Sequence, residues 1–196
     1  MDKKHTVSMI TLGCSKNLVD AECMSSILKK DGFELVQDVS QAEAVIINTC
    51  GFIESAKKEA IDTILDVAKF KGPRKKLKFI VAAGCLAQRY PDEIRKSLPE
   101  VDAVMGTSHY QDVSVVLNNL FMKKLCDWKE YIGKPGSLDH MRIDREVSTK
   151  SYAWLKIAEG CSNGCAFCAI PGIRGKYISR PMEDILEEAK ILASPG

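Results

Sequence analysis

Several things are scarce in this chain of 196 residues, and each absence excludes something. No apolar run approaches the length of a membrane span, so a membrane partner is not expected. The start, MDKKHTVSMITLG, has two lysines but no long apolar segment and no A-x-A-like site. A signal peptide is therefore not expected, and the cytoplasm is the expected location. Charge of one sign is lacking too. The net charge is +2, too small to argue for nucleic acid from bulk electrostatics. No G-x-G-x-x-G or Walker pattern follows any predicted strand, which weighs against a flavodoxin-type nucleotide binder. Internal repeats and low-complexity tracts are also missing. With 45% hydrophobic and 28% charged residues, the chain reads as an ordinary globular protein able to bury a core.

Cysteine, by contrast, is abundant, with eight residues. In a reducing compartment metal or catalysis explains such usage better than disulfides do. Cys161, Cys165 and Cys168 are clustered as C-x3-C-x2-C in GCSNGCAFC, whereas Cys14, Cys23, Cys50, Cys85 and Cys126 are spread out.

Hydrophobic periodicity supplies the architecture. Strands are predicted at Val7 to Gly13, Ala44 to Thr49, Leu77 to Ala83 and in VDAVMG, with a weak one in FELV. Helices are predicted at Leu18 to Lys30, Phe52 to Phe70, Pro91 to Leu98 and Gln111 to Phe121. KGPRKK is read as a solvated turn. Alternating strands and helices with continuous apolar strands predict an α/β domain, a doubly wound parallel sheet with flanking helices, over residues 1–122. Residues 123–150 are read as a linker with room for a short hairpin. A further strand, YAWLKIAEG, opens at Tyr152, and PMEDILEEAKILASPG reads as a helix. One βα unit cannot bury its own faces, so residues 151–196 are read as the incomplete start of a second domain.

Cys14, Cys50 and Cys85 each follow a predicted strand and each adjoin a glycine: Gly13, Gly51 and Gly84. Strand ends of an open parallel sheet share one edge, where ligands bind, so these three cysteines are expected to converge. The competing reading is three buried cysteines packed as small apolar residues. Cys23 and Cys126 are read as bystander thiols. Three thiolates in one short loop can hold three irons of a cubane and leave the fourth open. The competing reading there is a zinc site completed by Cys126 or His140.

CSNGCAFC after a strand and before a helix resembles the radical-SAM superfamily. Together with an N-terminal domain carrying a second three-cysteine group, it resembles the methylthiotransferases of that superfamily. GCSKNLVDAE, NTCGFIESAKKEAI, GCLAQRYP and KIAEGCSNGCAFCAIPGIRGKYISRP are similar to the branch that modifies the S-twelve protein of the small ribosomal subunit (RimO-type). Ala21 departs from the serine usual in D-S-E, without expected consequence. The tRNA-modifying branch is the alternative, and nucleic acid is a partner only under it. A third possibility is a catalytically incomplete fragment that binds iron–sulfur clusters.

The resemblance implies two 4Fe-4S clusters. Cys14, Cys50 and Cys85 would hold the auxiliary one, and Cys161, Cys165 and Cys168 the one that binds S-adenosylmethionine. It implies transfer of a methylthio group to the β-carbon of an aspartate, with flavodoxin or ferredoxin as electron donor. One S-adenosylmethionine would methylate a sulfur, and a second, split by an electron, would supply a radical for the unactivated C–H bond. Phe167 would lie beside that cofactor, or serve simple packing. Arg174 and Lys176 are read as surface charge. Asn17 and Asn48 are read either as hydrogen-bond donors to the cysteines or as turn and cap residues. The family continues past this chain's last residue into further βα units and a small β-rich domain, so the isolated chain is expected to be inactive.

Overall fold

A computed structural model describes residues 4–124, 127–142, 145–149 and 151–194. Five parallel strands form the main sheet: β1 (Thr6–Thr11), β2 (Glu34–Leu35), β3 (Ala44–Thr49), β4 (Phe79–Gly84) and β5 (Ala103–Met105), in the order β2-β1-β3-β4-β5. Between and after them run α1 (Ser15–Lys30), α2 (Glu54–Ala68), α3 (Cys85–Arg89), α4 (Pro91–Ser97) and α5 (Val113–Phe121). This is the doubly wound α/β domain that the sequence pattern predicts. The chain leaves β1 toward β2 on one side and returns to β3 on the other. The strand ends of β1 and β3 therefore flank the switch point where such sheets bind ligands.

Alternation along the strands divides the core into two layers. Ala44, Ile46, Val81, Ala83 and Met105 pack with Met24, Leu28, Val116 and Leu117 beneath α1 and α5. Val45, Ile47, Ile80, Ala82 and Val104 pack with Ala60, Ile64 and Ile94 beneath α2 and α4. Burying each large aliphatic side chain contributes about 1.5–3 kcal/mol. The buried strip of α2 is narrower than its apolar pattern. Ala60, Ile64 and Val67 are buried, while Ile53, Ile61 and Leu65 are exposed. Helix ends follow charge: α4 opens on Pro91, Asp92 and Glu93 and closes on Arg95 and Lys96, matching the helix dipole.

The second unit departs from its expected form. No strand forms among the described residues of 123–150, so the hairpin is absent there. The strand expected from Tyr152 shrinks to β6 (Ala158–Glu159), paired antiparallel with β7 (Ile178–Ser179). Side chains occupy the preceding carbonyls in place of a partner strand. Arg145 donates to the Trp154 carbonyl, and Arg180 Nη1 donates to that of Lys156 at 2.8 Å. A short α6 (Ile170–Arg174) and the longer α7 (Met182–Ala193) complete the unit.

Candidate metal centre

The three backbone positions that carry the N-terminal trio lie at neighbouring strand ends of the sheet. Cys14 caps the start of α1, Cys50 follows β3, and Cys85 opens α3 directly after β4. A Cβ built on Gly13 would lie 2.7 Å from Cys50 Cβ, and one on Gly51 would lie 3.1 Å from the Cys85 carbonyl carbon. Backbone thus approaches backbone at Gly51, while at Gly13 it is the Cys50 side chain that lies against the glycine. Gly84 needs its glycine for two reasons. Its φ is +93°, and a Cβ would meet Asn48 Oδ1 at 2.4 Å and the Thr49 carbonyl at 2.7 Å. Cys85 is buried, Cys50 half-buried and Cys14 exposed, so the group runs from the core to the surface.

Asn17 and Asn48 stitch this edge together. Asn17 Nδ2 donates to the carbonyls of Leu12 at 2.9 Å and Thr49 at 3.0 Å. Asn48 Nδ2 donates to the Asn17 carbonyl at 2.8 Å. Both amides thus serve as backbone ties of this edge. Asn17 Oδ1 accepts from Cys85 Sγ at 3.7 Å. Behind the edge, Arg89 Nη1 donates to the Gly51 carbonyl at 3.0 Å.

The C-terminal trio lies in the loop between β6 and α6. Cys161 N donates to the Gly175 carbonyl at 3.0 Å, and Cys168 N to the Cys165 carbonyl at 3.1 Å. Gly160 and Gly175 close the loop at its base. A Cβ on Gly160 (φ +72°) would come within 2.5 Å of the Gly175 carbonyl oxygen. Beyond the base the loop opens outward. Cys165 is exposed, Cys161 and Cys168 are half-buried, and Phe167 is 91% exposed. Phe167 is therefore not a packing residue here.

The base of this loop rests on the cysteine-bearing edge of the sheet. Lys16 Nζ donates to Glu159 Oε1 at 3.3 Å. Below it lies a sealed ionic cluster. Lys156 Nζ reaches Asp20 Oδ1 at 2.6 Å and also pairs with Glu159. Arg174 Nη1 reaches Asp20 Oδ2 at 2.6 Å and Glu159 Oε2 at 3.0 Å. Arg174 Nη2 donates to Asn17 Oδ1. Arg174 is thus 3% exposed rather than a surface charge, whereas Lys176 is exposed as expected. Burial works against its charge, but Asp20 heads the groups that hold its guanidinium ionised, well above the ordinary value. Burial also disfavours the Glu159 carboxylate, yet Lys156 and Arg174 outweigh it and keep the carboxyl below its usual value. The Cys85 thiol is pushed up by burial, with Arg174 pulling against the rise.

A second knot lies two residues along α1, toward another side of the helix. Arg145 pairs with Glu22 and, at 2.8 Å, with Glu188 of α7. Glu22 Oε1 also accepts from the amide and hydroxyl of Ser148, both at 2.7 Å. Sequence reading missed Asp20, Glu22, Arg145, Lys156 and Glu159. The signal for the first two was there. Acids inside the apolar rhythm of α1 are out of place on a packed face unless cations meet them.

Cys23 is fully buried, and its Sγ donates to Met141 Sδ at 3.8 Å. Burial pushes its thiol up to about 12, so it is a packed bystander, as expected. Cys126 and the His140 side chain, named for a zinc alternative, lie outside the described residues. Among the described residues no three or more His, Cys, Asp or Glu side chains are placed to bind one metal ion together. A mononuclear site needs ligands on a single point, whereas each thiolate of a multi-iron cluster takes a different iron. Soft sulfur-only donor sets on glycine-lined turns fit the second case. No helix among the described residues is long and apolar enough to cross a membrane.

Known proteins show where such a chain belongs. It is 50% identical over 198 residues to the ribosomal protein uS12 methylthiotransferase RimO of Acetivibrio thermocellus, a match covering 98% of this chain and 43% of that protein. The enzyme of the same name from Clostridioides difficile is 47% identical, over 97% of this chain and 42% of the relative. That of Thermoanaerobacter sp. is 48% identical, over 97% and 43%. The chain thus spans less than half the length of these curated relatives. The model of the family described as "Uncharacterized protein family UPF0004" matches residues 6–106, half of the chain, and the protein belongs to that family.

Proposed function

We propose that this chain is the cluster-bearing part of a radical-SAM methylthiotransferase acting on ribosomal protein uS12. The observation that carries the reading is a pair of cysteine trios, one at the strand ends of the sheet and one in a loop whose base is fastened beside that edge. Cys14, Cys50 and Cys85 occupy three adjacent strand ends. Cys161, Cys165 and Cys168 sit in a loop whose base is fastened to that edge through Glu159 and Arg174. Each trio would hold a 4Fe-4S cluster. Three ligands leave one iron open, the condition for chemistry rather than a structural role. With S-adenosylmethionine bound, this set supplies the electron transfer and hydrogen abstraction that an unactivated C–H bond requires.

The chain's own task is positioning. Gly160 and Gly175 fix the loop's root, so that its tip faces away from the core. Phe167, wholly exposed, offers an apolar face to a cofactor held at Cys161, Cys165 and Cys168. The sealed cluster around Asp20 fastens the base of the C-terminal loop to the helix that starts beside Cys14. The curated relatives' names favour uS12 over tRNA as substrate. A flavodoxin or ferredoxin is the class of electron donor that would serve the clusters, and a ribosomal substrate places the reaction in the cytoplasm.

Anaerobic reconstitution with iron and sulfide, followed by analysis of both, tests the cluster assignment. Binding of zinc alone would sink it. The substrate is tested by extending the chain to the length of its relatives and assaying methylthiolation of uS12 and of tRNA side by side. Modification of tRNA and not uS12 would replace the reading with its rival.

A further inference from the structure

Arg174 belongs to the helix that follows the C-terminal cysteine loop, yet its guanidinium ends inside the N-terminal domain. Two of its contacts, to Asp20 and Glu159, are also made by Lys156. Those contacts alone would fasten the two units. The third is its own: Nη2 donates to Asn17 Oδ1, the same oxygen that lies 3.7 Å from Cys85 Sγ. Asn17 cannot turn this oxygen away, because its Nδ2 is held by the Leu12 and Thr49 carbonyls. A cation sealed from water acts on a neighbouring sulfur far more strongly than one at the surface. Glu159, although paired with the same guanidinium, spends its carboxylate on Lys16, Lys156, Arg174 and the Gly160 amide.

We propose that Arg174 is a positioning residue linking the two cysteine groups: it locks the end of the C-terminal loop segment to Asn17 and places a buried positive charge beside Cys85. This rests on the assignment of Cys14, Cys50 and Cys85 as cluster ligands. Reduction adds one electron, and hence one negative charge, to the cluster. A fixed cation beside one ligand favours the reduced form and raises the potential at which it forms.

The test uses this chain with Cys161, Cys165 and Cys168 replaced by Ala, so that only the N-terminal trio can load. After anaerobic reconstitution, the midpoint potential is read by EPR during titration with dithionite. Arg174→Gln is expected to lower it, by on the order of tenfold in the reduction equilibrium. Arg174→Lys, which keeps the charge without the fork that reaches Asn17, should recover part of the shift. Glu159→Gln, which disturbs the same ion cluster, should not lower it. Should Arg174→Gln fail to fold, the double variant Arg174→Gln/Glu159→Gln removes one charge of each sign and should still show the fall. An unchanged midpoint in a folded, loaded Arg174 variant overturns the proposal, as does an equal fall in Glu159→Gln. Failure of the parent to bind iron overturns the cluster assignment itself, and this proposal with it.

Discussion

Lys156 Nζ stands 2.6 Å from Asp20 Oδ1, with both side chains sealed from solvent. The two residues lie 136 positions apart and belong to different units of the chain. Burial makes the pair conditional: with both partners present the desolvation is offset, and with one removed a bare charge is left inside. Asp20→Asn should destabilise the protein by about 3–5 kcal/mol. The loss should appear first as release of the second unit, read by urea unfolding and by proteolysis within residues 123–150. The double variant Asp20→Asn/Lys156→Met leaves Arg174 balanced by Glu159. Its loss should be smaller than the sum of the single losses.

Gly84 sits where the main chain turns from β4 into α3 under Asn48. Gly84→Ala meets both a positive φ and two oxygens closer than any real Cβ tolerates. A cost of about 2–4 kcal/mol is expected in denaturant unfolding. Iron bound after reconstitution should fall to about half, since the N-terminal trio loses its shape while the C-terminal loop keeps its own. Full iron loading would show that Gly84 does not shape the site.

Acid sensitivity should trace to Glu43, which is buried between β1 and β4. Burial opposes its ionisation, but hydrogen bonds from Lys78 and His5 overcome this and hold its carboxyl at about 2. Its folded value is thus depressed below the usual 4.5. The stabilisation is complete above 4.5 and fades as pH falls toward 2. Lys78 and His5 are half exposed, so screening leaves roughly 2 kcal/mol. Glu43→Gln should flatten stability between those pH values, as measured by urea midpoints. A slope equal to the parent's would place the acid sensitivity elsewhere.

The cysteines should separate by reactivity in the cluster-free chain. Cys165 is exposed, while Cys23 is sealed against Met141 with its thiol pushed up to about 12. At pH 8 iodoacetamide should label Cys23 at least about a hundredfold more slowly than Cys165, until denaturant opens the core. Comparable rates, read by peptide mass, would remove Cys23 from the packed interior.

What the sequence disclosed followed strictly local rules. The continuous apolar runs around Ile46 and Val81 and the glycines beside Cys14, Cys50 and Cys85 marked strands, edge and candidate ligands without any knowledge of contacts. α3 was not legible, because five residues from Cys85 to Arg89 are too few for a helical period. The strand read from Tyr152 failed for a different reason. Its apolar run is real, but a strand needs a neighbour, and Arg145 and Arg180 took its carbonyls instead. Arg174 was misread because charge predicts exposure only while no buried acid waits for it. Asp20 and Glu159 are remote from one another in sequence, and only the fold brings them together.

Helix α1 starts immediately after Cys14 and then presents Asn17, Asp20 and Glu22 to the second unit. It behaves as a ruler. Each residue advances a helix by about 1.5 Å and turns it by roughly 100°. A single residue inserted between Asn17 and Asp20 would leave Cys14 at the start of the helix and Cys50 and Cys85 at their strand ends. It would nonetheless swing Asp20 away from Arg174 and Glu22 away from Arg145. The gauge between the two cysteine groups is therefore written not in the cysteine spacing but in the first two turns of a helix that holds no cluster itself.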